Sequence, residues 1–130
     1  MQLNDGRGTE DDRLSVLLID DDDDGLMVMT QVLLLQGYAT EAATSVDEGL
    51  ERYYARRHHV VISDIDLGKR TGLEVAGELA GKEGSPLLIS VIGSTEPGLE
   101  ARSRRAGFDE HMTKPVDWDN LKTILSGVQH

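Results

Sequence analysis

The sequence predicts an α/β fold, an open parallel sheet with helices on both faces, and two observations lead there. The first is a set of short apolar runs, Leu14–Ile19, Val60–Ser63 and Leu87–Ile92, each closed by an acidic residue or a glycine. Their apolar positions are nearly continuous rather than alternating, as expected of parallel strands covered on both sides. The second is the lengthening of the apolar period between them to that of a helix, so that strand and helix alternate five times along the chain.

In chain order, residues 1 to about 12 are Gly, Asn, Asp, Glu and Arg with little to bury, and read as a flexible leader ahead of one domain over 13–130. Leu14–Ile19 is the first strand. Asp24 to Gln36 is a helix apolar enough to be largely buried, closed by Gly37. Tyr38 to Ala42 is a weaker strand, and Val46, Leu50, Tyr53 and Tyr54 mark the next helix by their spacing. Val60–Ser63 leads into Asp64, and Leu73, Ala76, Leu79 and Ala80 mark a third helix. After Leu87–Ile92 the segment Pro97 to Ala106 is a helix with few apolar residues, expected to pack lightly, with Gly107 at its end. Phe108 to Met112 is the last strand. Asp117 is placed to cap a helix carrying Leu121, Ile124, Leu125 and Val128.

A chain of 130 residues with 38% apolar content suits a single core. It has no uninterrupted apolar stretch long enough for a membrane span and no signal-peptide core, so a cytoplasmic protein without membrane insertion is expected. The absence of cysteine excludes disulfides and thiolate metal sites. With 24 acidic residues against 13 basic ones the net charge is -11, which disfavours direct binding to nucleic acid.

In open parallel sheets, ligands bind beyond the carboxyl ends of the strands. Those ends carry Asp20 and Asp21, then Asp64, then Ile92 and Gly93, and finally Thr113-Lys114-Pro115. Three carboxylates meeting at one place repel one another unless a cation joins them. The donors are hard oxygens without His or Cys, so Mg2+ is the expected ion, with Lys114 supplying a further positive charge. Asp22, Asp23 and Asp24 read as residues that cap and charge the following helix. His58 and His59 read as loop residues, His111 as a core-edge histidine, and Trp118 equally as a packing or a partner-surface residue.

Leu18-Ile19-Asp20-Asp21, then Gly37-Tyr38, Val61-Ile62-Ser63-Asp64 with Gly72 following, and Ala106-Gly107-Phe108-Asp109 leading to Lys114-Pro115, resemble the receiver domains of bacterial two-component response regulators. The stretch from Gly107 to Asp117 looks most like receivers of hybrid sensor histidine kinases. The resemblance covers Leu14 to Val128 and implies a doubly wound, flavodoxin-like (βα)5 domain with strand order 2-1-3-4-5. It further implies that Asp64 is the phosphoacceptor, that Asp20, Asp21, Asp64 and the backbone carbonyl of Asp66 hold Mg2+, that Lys114 pairs with the phosphoryl group, and that the Lys114–Pro115 bond is cis. The implied partner is a histidine kinase or histidine phosphotransfer protein, or another domain of a parent hybrid kinase. Receivers catalyse their own phosphorylation in a phosphorelay and hydrolyse the aspartyl phosphate slowly, without being conventional turnover enzymes.

The sequence departs from that pattern at both switch positions. Ile92 stands where the family has Thr or Ser, and His111 replaces the partner aromatic. Either Ser90 or Ser94, in the phosphate loop with Gly93, supplies the missing hydroxyl, or the usual switch is weakened. Gly68 replaces a common Pro and leaves that loop looser. Three rival readings follow. Asp20 to Gly25 fits the start of a calcium-binding EF-hand loop, but Gln31 occupies its twelfth position. Val60 to Asp66 resembles the nucleophile motif of haloacid-dehalogenase-type phosphatases, though late in the chain. A receiver-like interaction module that is never phosphorylated is the third.

Overall fold

The computed structural model describes residues 12–67, 70–93 and 96–128; the leader, Gly68 and Ser94 lie outside them, apart from Asp12. The elements run β1 (Ser15–Ile19), α1 (Asp23–Leu35), β2 (Ala39–Ala43), α2 (Val46–Arg56), β3 (Val60–Asp64), β4 (Asp66–Leu67), β5 (Arg70–Thr71), α3 (Leu73–Leu79), β6 (Leu87–Ile92), α4 (Leu99–Ala106), β7 (Glu110–Thr113) and α5 (Trp118–Ser126). Five strands form one parallel sheet in the order β2-β1-β3-β6-β7. Because β4 and β5 pair only with each other as a small antiparallel ribbon, the sheet's own strands follow the expected 2-1-3-4-5 order.

Alternate strand residues feed two separate cores, as the two-residue period of a strand requires. Leu17, Ile19, Val61, Leu88 and Ile92 pack beneath α2, α3 and α4 with Val46, Tyr53, Val75, Leu79 and Leu99. Leu18, Ile62, Ile89 and Val91 pack with α1 and α5 through Leu26, Leu33, Leu121 and Leu125. Both faces of β3 are therefore buried along its whole length, which explains its unbroken apolar run.

Three readings need correction. Only Leu26 and Leu33 of α1 are buried, while Met27, Val28, Leu34 and Leu35 face solvent at 63%, 61%, 46% and 83% exposure. Tyr54 of α2 is also exposed, turned away from the core that Tyr53 enters. The last strand begins at Glu110 rather than Phe108, because Gly107 (φ 121°) and Phe108 are consumed in ending α4: the Phe108 N–H donates to the Ser103 carbonyl. Gly107 is required there for a second reason, since a β-carbon would lie 2.4 Å from that of Ala80. The Asp117 side chain caps α5 as expected, accepting from the N–H groups of Asp119 and Asn120.

Candidate functional site

Register brings the acids together. Ile19 lies opposite Ser63 across β1 and β3, so Asp20 and Asp64 emerge side by side at neighbouring strand ends. On the other flank Asp64 pairs with Val91 and Ile92 with Thr113, and the Lys114 N–H donates to the Ile92 carbonyl at 3.0 Å. This places Lys114 across from Asp64, and its Nζ donates to Asp64 Oδ2 at 2.8 Å. The other oxygen of Asp64, Oδ1, accepts from the Asp66 N–H at 3.1 Å. Asp64 is 5% exposed. Carboxylate oxygens of Asp20, Asp21 and Asp64 lie within 4.8 Å of one another.

Glycine makes this arrangement possible at Gly72, where a β-carbon would sit 2.0 Å from the Asp64 carbonyl oxygen. The Gly72 N–H donates to the Ile65 carbonyl at 2.7 Å, drawing the start of α3 against the end of β3. Gly93 leaves room for the stem of Lys114, whose Cδ would be 3.3 Å from an added β-carbon. The Lys114–Pro115 peptide is cis.

The charges do not balance within the chain. Burial first, and the neighbouring Asp64 after it, raise the pKa of Asp20 despite the Asp22 N–H and Lys114 that pull it down. Burial disfavours the charge on Lys114, but its hydrogen bond to Asp64 and the attraction of Asp64, Asp20 and Asp22 outweigh this and hold its pKa above the ordinary lysine value. A carboxyl group pushed toward its neutral form beside two other acids is a donor set that a small, hard divalent cation fits. Above the acids lies a cleft of about 440 Å³ bordered by Asp21, Asp64, Asp66, Gly93 and Lys114.

The remaining residues singled out from the sequence fall elsewhere. The Ile92 side chain is buried in the same core as Leu99 of α4. The Ser90 hydroxyl, offered as a substitute donor, instead accepts from Ser103 of α4 at 2.7 Å, with both serines buried; its strand position faces α4, whereas Asp64 lies on the α1 side. His111 Nε2 sits 2.8 Å from Glu100 Oε2 and 3.2 Å from an Arg104 nitrogen, while its buried Nδ1 has no partner. His58 is more than a loop residue: it is buried, with Nε2 2.6 Å from Glu41 Oε1.

Two groups escaped the sequence reading. Arg70 of β5 joins Glu74 to Asp47 of α2, and only the Arg70–Glu74 spacing of four residues hinted at it. Ser103 gave no sequence signal, because a serine within a helix is normally solvated.

Residues 16–126 match the response regulator receiver domain family. The chain belongs to that family. A CheY-like response regulator receiver domain protein from Methanospirillum hungatei is 26% identical, superposes with a TM-score of 0.79, and shares 88% of this chain and 94% of its own. The acid tolerance regulatory protein ActR of Sinorhizobium medicae is 27% identical over 85% of the receiver, and the virulence sensor protein BvgS of Bordetella bronchiseptica 29% identical over 87%. The receiver spans 57% of the length of ActR and 10% of BvgS. The receiver domain of Ssk1, solved in complex with the histidine phosphotransfer protein Ypd1 of Saccharomyces cerevisiae, has the same fold at 15% identity, with a TM-score of 0.78 over 88% of this chain and 87% of that one.

Proposed function

We propose that this receiver takes a phosphoryl group from a phosphohistidine on a partner protein onto Asp64, as one step of a phosphorelay. The observation that carries this reading is a buried carboxylate hydrogen-bonded to Lys114 Nζ at 2.8 Å, with two further acids close by. Asp64 acts as the nucleophile: its oxygen forms a bond to phosphorus while the bond from phosphorus to the donor imidazole nitrogen breaks, and the imidazole leaves with the electron pair. Lys114 then turns from the carboxylate to the new phosphoryl oxygens, whose added negative charge attracts it.

Asp20, Asp21, Asp64 and the backbone carbonyl of Asp66 would hold Mg2+. When bound, that ion supplies positive charge against the transferring phosphoryl oxygens. The donor is a histidine kinase or a histidine phosphotransfer protein, in keeping with the sensor proteins among the relatives and the Ssk1 receiver seen with Ypd1. No described helix is long and apolar enough to cross a membrane, and the relay reading places the domain in the cytoplasm.

Acetyl phosphate with Mg2+ should add one phosphoryl mass to the wild-type chain and none to Asp64→Asn, read by intact-mass spectrometry. Equal labelling of both chains would remove Asp64 as the acceptor. Complete absence of labelling would favour the unphosphorylated interaction module, for which the buried Ile92 and the engaged His111 speak.

A further inference from the structure

A second cavity lies behind the acid cluster, on the α1 side of the sheet. It is an open groove of about 440 Å³ between α1 and the segment that follows β7. Its floor is Leu18, Ile62 and Val91, and its walls include Met29, Val116 and Trp118. That volume falls in the range of small-molecule sites, and its apolar interior with charges gathered at one end has their usual composition. The proposed phosphoryl chemistry uses none of these apolar residues.

The charged end is one-sided. Among the described residues, Asp20, Asp22, Asp24 and Asp64 border it against the ammonium of Lys114, which is committed to Asp64. Asp22 occupies the N-cap position of α1, yet its side chain makes no capping hydrogen bond. Its carboxylate lies over Gly25 in the first turn of α1, with Oδ2 2.9 Å from where a β-carbon would stand. A carboxylate that makes no capping hydrogen bond and borders an apolar cavity repels anions and attracts a cationic head.

We propose that this cavity binds a small amphipathic cation, its hydrocarbon or aromatic body between α1 and the Val116–Trp118 segment and its ammonium group against Asp22 and Asp24. Such a ligand would touch Lys114 and Pro115 as well, so its occupancy would bear on Asp64; that consequence rests on the phosphoacceptor reading, whereas the binding itself does not.

Trp118 is the only tryptophan in the chain, so its fluorescence reports the cavity directly. The test is a titration of the full chain with 2-phenylethylamine in saturating Mg2+, beside phenylacetate as the anionic counterpart. A saturable change is expected for the amine and none for phenylacetate over the same range. Asp22→Asn combined with Asp24→Asn should weaken the amine at least about threefold, with an unchanged circular dichroism spectrum as the check on folding. Nuclear magnetic resonance shifts should centre on the methyl groups of Leu18, Ile62 and Val91. The proposal is overturned by no saturable change in saturating Mg2+, an equal response to phenylacetate, an undiminished affinity in the double Asn variant, or shifts confined to another surface. Acetyl phosphate labelling, run in parallel, separates the two readings: loss of labelling with amine binding intact rejects only the phosphoacceptor, and the reverse rejects only the cavity.

Discussion

At the residue scale the Asp64–Lys114 pair governs the site. Replacing Lys114 with Met leaves the buried carboxylate without the ammonium that, among the described residues, is the side-chain cation paired with it. Phosphoryl uptake from acetyl phosphate should fall about 10²-fold, the usual loss when a preorganised charge-stabilising donor is deleted, as followed by mass spectrometry over time. An undiminished rate would show that Lys114 serves only to hold Asp64 in place. Gly72 belongs to the same scale. Gly72→Ala forces a β-carbon into the Asp64 carbonyl at 2.0 Å, backbone that cannot yield cheaply, so denaturant unfolding should show a loss of about 3 kcal/mol.

At the element scale, α1 and α4 show where pattern reading succeeds and where it stops. The apolar density of α1 identified a helix but not its buried side, because a helix apolar all round gives no amphipathic stripe from which to choose. Its outward residues should therefore contribute little: Leu35→Ser is expected to change unfolding free energy by no more than about 0.5 kcal/mol, and a loss well above that would contradict the exposure seen here. Helix α4 is lightly packed, as its sparse apolar content predicts, with Leu99 and Ser103 its only buried residues. Ser103 nonetheless ties it to β6 through Ser90. Ser103→Ala removes that hydrogen bond within the core and should cost about 1–3 kcal/mol, with faster amide hydrogen exchange along α4 as its local signature.

At the scale of the whole molecule, stability should depend on pH through His58. Burial lowers its pKa below the ordinary 6.5, and Arg56 and Arg52 act in the same direction, against the hydrogen bond and charge of Glu41. The buried, unpartnered Nδ1 gives the physical reason, since protonation would add a donor with nothing to accept it. The unfolded chain then binds a proton that the folded one excludes, so this stability is full above the unfolded imidazole's range and is lost as pH falls through it. Between about pH 7 and 5 the unfolding free energy should decline with a slope of at most about 1.4 kcal/mol per pH unit from this proton. His58→Gln should flatten that slope, and an unchanged slope would assign it to other groups.

The fold was legible because its signals are local. Unbroken apolar runs mark strands buried on both faces, and strand ends with Asp20, Asp21, Asp64 and Lys114 select a site through the topology of a parallel sheet alone. What sequence could not decide is which way side chains point once elements pack. Ser90 turns to α4 instead of the acids, the outer half of α1 stays in solvent, His58 is buried against Glu41, and Asp22 borders a cavity without making a capping hydrogen bond. Each depends on contacts between residues distant along the chain, and such contacts exist only after the sheet has set its register.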